Sequence, residues 1–170
     1  MKRLKVIAFD ADDTLWDCQG HFEEVEEHLY SIIAPYCEDP KQELFKTESA
    51  NMEDLGYGCK AFTISILETA MRIAGNDLTV TLLSDLLAHS KSLLHLPATP
   101  LPGVEETLKK LRNHVLELRE TGKDIRMVVF TKGELQDQEN QLRRSGLLQS
   151  FDDVAITYEP TQAELFHLCE

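Results

Sequence analysis

Positive charge is what this sequence has least of. Its 170 residues carry 17 Lys and Arg against 30 Asp and Glu, a net charge of −13. A nucleic-acid backbone demands a basic surface, so no nucleic-acid partner is expected, and an anionic membrane surface is disfavoured on the same ground. A small phosphorylated molecule is not excluded, because a metal ion can offset local repulsion. Paired cysteines are also missing. Cys18, Cys37, Cys59 and Cys169 are widely spaced with no CxxC, which argues against a zinc site or a redox couple. No apolar run approaches the length a bilayer demands, and the start of the chain lacks the apolar stretch of a signal peptide. These absences predict a soluble, cytoplasmic protein with reduced thiols and no membrane partner. No G-x-G-x-x-G follows the first strand candidate, which disfavours a nicotinamide-binding fold. Internal repeats and low-complexity segments are absent too.

What is present begins at the amino terminus. Leu4 to Phe9 is a short apolar run rich in β-branched residues, and it stops at Asp10-Ala11-Asp12-Asp13-Thr14. Such a run reads as a buried strand of a parallel sheet. Open α/β sheets bind their ligands at the carboxyl ends of such strands.

After Trp16 the pattern turns helical. Phe22, Val25, Leu29, Ile32 and Ile33 form one apolar stripe, and Glu23, Glu24, Glu26 and Glu27 form a solvated acidic face. Further helices are expected over 41–55, 60–74 and 79–94, with Gly75-Asn76 as a stop signal. Pro97, Pro100 and Pro102 then mark a boundary. A helix from Gly103 to Leu118, a strand over 125–130, a polar helix over 134–144, a strand over 153–157 and a short helical tail over 161–169 complete the chain. Strands alternating with helices imply parallel pairing through right-handed crossovers. The expected fold is α/β: a Rossmann-like parallel sheet core from 1–16 and 97–170, with an all-helical insertion over 17–96.

Residues i and i+2 at a strand end point the same way, so Asp10 and Asp12 are expected to present two carboxylates to one pocket. Their repulsion raises the pKa of one of them. One carboxylate then serves as nucleophile or metal ligand while the other holds a proton. Oxygen-rich ligation of this kind suits Mg²⁺. The alternative is a polar loop in which Thr14 caps the next helix.

The stretch Phe9-Asp10-Ala11-Asp12-Asp13-Thr14-Leu15 resembles the first motif, DxDx[TV], of the haloacid dehalogenase superfamily. Pro102-Gly103-Val104-Glu105-Glu106-Thr107-Leu108 resembles the segment where that family's chain re-enters its core after a helical cap. Val128-Val129-Phe130-Thr131-Lys132-Gly133 resembles its second motif. The resemblance implies a Mg²⁺-dependent phosphatase of a small phosphorylated metabolite. Asp10 would be the nucleophile that forms an aspartyl-phosphate and binds Mg²⁺. Asp12 would be the general acid and base, with its backbone carbonyl on the metal. Thr131 would hold the phosphoryl oxygens, and Lys132 is a second phosphate-binding candidate, set against the alternative of a solvent-facing lysine. An Asp two residues after the nucleophile resembles the phosphatase branch rather than the dehalogenase branch. Trp16 is expected to pack between core and cap, without a chemical role.

The chain departs from the family pattern in two places. A lysine follows the family's third strand, but about that position stands Glu159, and no lysine occurs after Lys132. The fourth motif, a further strand ending in acidic residues, has no counterpart before Glu170, which leaves Val6 to Phe9 at a sheet edge. Asp152 and Asp153 precede the third strand and are expected to be turn residues. The competing expectation is therefore a truncated, catalytically defective relative, either a pseudoenzyme or a binding module.

Overall fold

The computed structural model describes residues 5–157. Within that range the chain is α/β, with a parallel sheet of three strands: β1 (Lys5–Phe9), β2 (Ile125–Lys132) and β3 (Asp153–Thr157), in the order β1-β2-β3. Phe9 lies opposite Val129, and Thr131 lies opposite Ile156. Six α-helices accompany the strands: α1 (Gln19–Ile33), α2 (Pro40–Leu55), α3 (Cys59–Ala74), α4 (Val80–Lys91), α5 (Val104–Glu120) and α6 (Leu135–Ser145). The expected helical tail over 161–169 and the Glu159 position lie outside the described residues.

The chain divides into two compact units, Met1–Cys18 with Pro97–Glu170 and Gln19–Leu96. In the α/β unit, Met127, Val128 and Val129 are all essentially inaccessible to solvent. Successive strand residues point to opposite faces, so β2 is covered on both sides. Leu108 and Val115 of α5, Leu142 of α6, and Leu15, Trp16, Leu147 and Phe151 from the connections close the core around it. β1 is different. Among the described residues it pairs only with β2, and Ala8 is exposed while Val6 and Ile7 are half-buried.

Asp152 is more than a turn residue. Its carboxylate pairs with Arg112 (2.6 Å) and with Arg119, and it accepts the backbone N–H of Met127 at 2.9 Å. It ties α5 to β2 just ahead of β3, a role that local sequence could not reveal because its partners lie 25 to 40 positions away.

The helical unit follows the periodicity of its sequence. Val25, Leu29 and Ile33 of α1 are buried, and Glu23, Glu24 and Glu27 face solvent. Asp39 caps α2 by accepting from Gln42 N at 2.9 Å, and Thr79 caps α4 by accepting from Leu82 N at 3.2 Å. Gly56-Tyr57-Gly58 joins α2 to α3 and borders a cavity of about 240 Å³ that Phe22 and Phe62 also line. Among the described residues Cys18, Cys37 and Cys59 form no disulfide with one another. No helix among the described residues is long and apolar enough to cross a membrane.

Candidate active site at the end of the first strand

The loop after β1 is a tight hydrogen-bonded knot. Leu15 N donates to Ala11 O at 2.8 Å, and Asp13 N donates to Trp16 O at 2.9 Å. Ala11, Leu15 and Trp16 are buried, which pins the loop to the core from below. Asp13 sits in the left-handed region at φ 55°, a conformation that Asp tolerates better than most residues, and its Oδ1 accepts from Cys18 N at 2.9 Å.

Asp10 is exposed, one residue beyond the last paired position of β1, and its Oδ2 accepts from the Thr14 hydroxyl at 3.3 Å. Thr14 thus contacts Asp10. It does not precede a helix start, since α1 begins at Gln19. A cavity of about 290 Å³, bordered by Phe9, Thr14, Pro102 and Val104, adjoins this loop.

Asp12 is held by two side-chain donors. Its Oδ1 accepts from Trp16 Nε1 at 2.9 Å, and its Oδ2 accepts from Gln138 Nε2 at 2.7 Å. β1 ends at Phe9, and the turn that follows leaves Asp10 exposed and Asp12 half-buried. Burial raises the Asp12 carboxyl above the ordinary carboxylate range. The Gln138 and Trp16 hydrogen bonds pull it down in part, and the charges of Asp10 and Asp13 add to the rise. The two aspartates therefore still interact electrostatically while occupying distinct environments. One is open to solvent and ligands; the other is held, half-buried and biased toward its protonated form.

Thr131 is buried within β2, which runs to Lys132 and so includes both second-motif residues. Phe9 and Val129 are opposite each other, so Thr131 stands near the Asp10 loop at the same carboxyl end of the sheet. Lys132, the last residue of β2, is exposed. Trp16 is buried in the α/β core, where its single N–H is shared by Asp12 and by Gln141 Oε1 at 3.0 Å. Sequence reading passed over Gln138 and Gln141 altogether. The available signal was their three-residue spacing on one face of α6.

Among the described residues no group of three His, Cys, Asp or Glu side chains could cage a metal ion. Mg²⁺ commonly takes one or two carboxylates and completes its shell with water and phosphate oxygens. The donor set fits on those terms: Asp10 offers a free hard-oxygen edge, whereas both Asp12 carboxylate oxygens are engaged.

Over residues 4–166 the sequence matches the haloacid dehalogenase-like hydrolases. No curated protein matches. Among solved structures, a haloacid dehalogenase-like family hydrolase from Xanthomonas campestris is 25% identical with a TM-score of 0.83, covering 98% of this chain and 67% of its own. The magnesium-bound candidate HAD-hydrolase YfnB from Bacillus subtilis shares the fold at 19% identity and a TM-score of 0.53, covering 91% of this chain and 66% of its own. A Haemophilus somnus protein described as a predicted phosphoglycolate phosphatase does so at 17% identity and a TM-score of 0.54, covering 99% and 72%. Dehalogenases share the fold as well, at 15% identity and a TM-score of 0.53 in one case. This chain spans about two thirds of the length of the first two structures. It belongs to the haloacid dehalogenase-like hydrolase family.

Proposed function

We propose that the protein is a Mg²⁺-dependent phosphatase of small phosphorylated molecules, working through an aspartyl-phosphate on Asp10. The observation that carries this reading is the unequal pair at the end of β1. An exposed carboxylate suited to attack phosphorus stands beside a held carboxyl that burial biases toward carrying a proton. In this reading Asp10 attacks the phosphoryl group and Asp12 protonates the leaving oxygen, then takes a proton from the hydrolytic water. Thr131 and Lys132 bind phosphoryl oxygens. Asp10 and the backbone carbonyl of Asp12 would hold Mg²⁺, which when bound supplies charge neutralisation between carboxylate and phosphate. The helical unit, 17–96, acts as the family's cap, and the surrounding core runs over 1–16 and 97–170. The family's general use of Mg²⁺ and the magnesium in YfnB support the cofactor.

The test is hydrolysis of p-nitrophenyl phosphate with and without Mg²⁺ by the wild type and Asp10→Asn. Turnover that requires Mg²⁺ and falls at least about a thousandfold in the variant is expected, since removal of a covalent nucleophile abolishes its pathway. Pure, folded protein without Mg²⁺-dependent turnover would refute the phosphatase reading. The second reading, a catalytically silent relative, is favoured by Glu159 standing about where the family carries lysine. Loss of such a cation removes several kcal/mol of transition-state stabilisation, roughly 3 kcal/mol by analogy with a single oxyanion donor.

A further inference from the structure

We propose that Gln138 is the positioning residue of the Asp12 carboxylate, and that Gly133 leaves open the room its side chain takes. The Asp12 carboxylate receives one donor on each oxygen, from two different elements. Trp16 in the loop supplies one at 2.9 Å and Gln138 in α6 supplies the other at 2.7 Å. Two donors on two oxygens fix the plane of the carboxylate as well as its place.

Gln138 is 5% exposed, yet its Oε1 is buried with no hydrogen-bond partner among the described residues. An apolar side chain of the same length would fill this volume without leaving a buried acceptor unsatisfied. Stability alone therefore does not account for a glutamine here. Its hold on Asp12 does.

Gly133 follows Thr131 and Lys132 directly. A β-carbon built there would lie 3.1 Å from Gln138 Nε2 and 3.2 Å from its Cγ, with φ at +143°. The atom it would crowd is the nitrogen that donates to Asp12. The end of β2, which carries the proposed phosphate ligands, is thus coupled to the Asp12 carboxylate through one amide. Gln141, one turn further along α6, accepts from the same indole N–H that binds Asp12 and completes the clamp.

The inference rests on the phosphatase reading for its kinetic consequence but not for its geometry, and the test separates the two. Trp16 is the only tryptophan of the chain, so its indole N–H gives one resolved ¹H–¹⁵N resonance that reports directly on the bond to Asp12. Gln138→Met keeps the volume and removes the donor, and Gly133→Ala displaces the donor. Both variants are expected to shift the indole resonance in the same direction. In the active enzyme both are expected to lower kcat by about tenfold to a hundredfold with KM within about twofold, since misplacing a group by an ångström costs on that order. The double variant should lose no more than the worse single one, because both act on one contact.

An unmoved indole resonance in folded Gln138→Met overturns the proposal whatever the activity, and so does an unchanged kcat. Additive losses overturn the coupling to Gly133. Should Gln138→Met fail to fold, Gly133→Ala carries the same two readouts. A wild type without Mg²⁺-dependent hydrolysis refutes the phosphatase reading and leaves the indole measurement to decide the positioning.

Discussion

Asp12 and Asp152 are both acidic, both close to the sheet, and shifted in opposite directions. Burial and neighbouring negative charge drive the Asp12 carboxyl up. Burial also opposes ionisation of Asp152, but Arg119, the Met127 N–H and Arg112 outweigh it and bring its carboxyl down to about 2 from 3.8. A carboxylate whose folded pKa is depressed stabilises the fold above its unfolded value and loses that contribution as the pH falls through the folded one. The Asp152 contribution is therefore complete above about pH 4 and fades toward pH 2. Asp152→Asn is expected to cost about 2 kcal/mol at pH 7, since hydrogen bonds to a charged group are lost and two arginines are left without their partner. Chemical denaturation across the acid range checks this. The gap between wild type and variant should close as the pH approaches 2. A constant gap would place the effect in packing instead of charge.

At the scale of elements, the strands and helices of the α/β unit were legible for unequal reasons. β1 after Lys5, and β2 apart from Arg126, are apolar runs that end at polar residues, and both were readable from residue order alone. α6 was readable as a helix but not in its orientation. Beside Leu142 it buries Asp137, Gln138, Gln141 and Ser145, and it leaves Leu135 59% exposed. Hydrophobic periodicity assumes that apolar residues face inward, and here the inward face is polar because it meets the Asp12–Trp16 pair. Functional sites are where that assumption fails. Ala8 of β1 is exposed, and among the described residues β1 is paired on one side only. Ala8→Lys is expected to lower stability by no more than about 0.5 kcal/mol, the usual range for a surface change, as measured by chemical denaturation. A larger loss would mean that the Ala8 position is covered.

For the whole molecule the dominant quantity is the charge of −13. Surplus charge of one sign destabilises a compact state by self-repulsion, and salt screens it. Raising the ionic strength from about 10 mM to about 150 mM shortens the Debye length from about 30 Å to about 8 Å and is expected to raise Tm by a few degrees. Differential scanning calorimetry at fixed pH decides it. A fall in Tm would mean that specific ion pairs such as Arg119–Asp152 outweigh the net repulsion.

The family, the order of strands and helices, and the acidic residues after β1 can all be read from residue order. Each of these is written in local composition, in runs, periods and one short motif, which chain neighbours alone can specify. The surroundings of each aspartate were set by packing between distant segments. Asp10 and Asp12 are two residues apart and look equivalent in the sequence. The turn after Phe9 leaves one at the surface and holds the other, half-buried, against Trp16 and a glutamine 126 positions away. A pKa is set by burial and by donors brought together in space, and that information exists only once α6 is packed beside the loop.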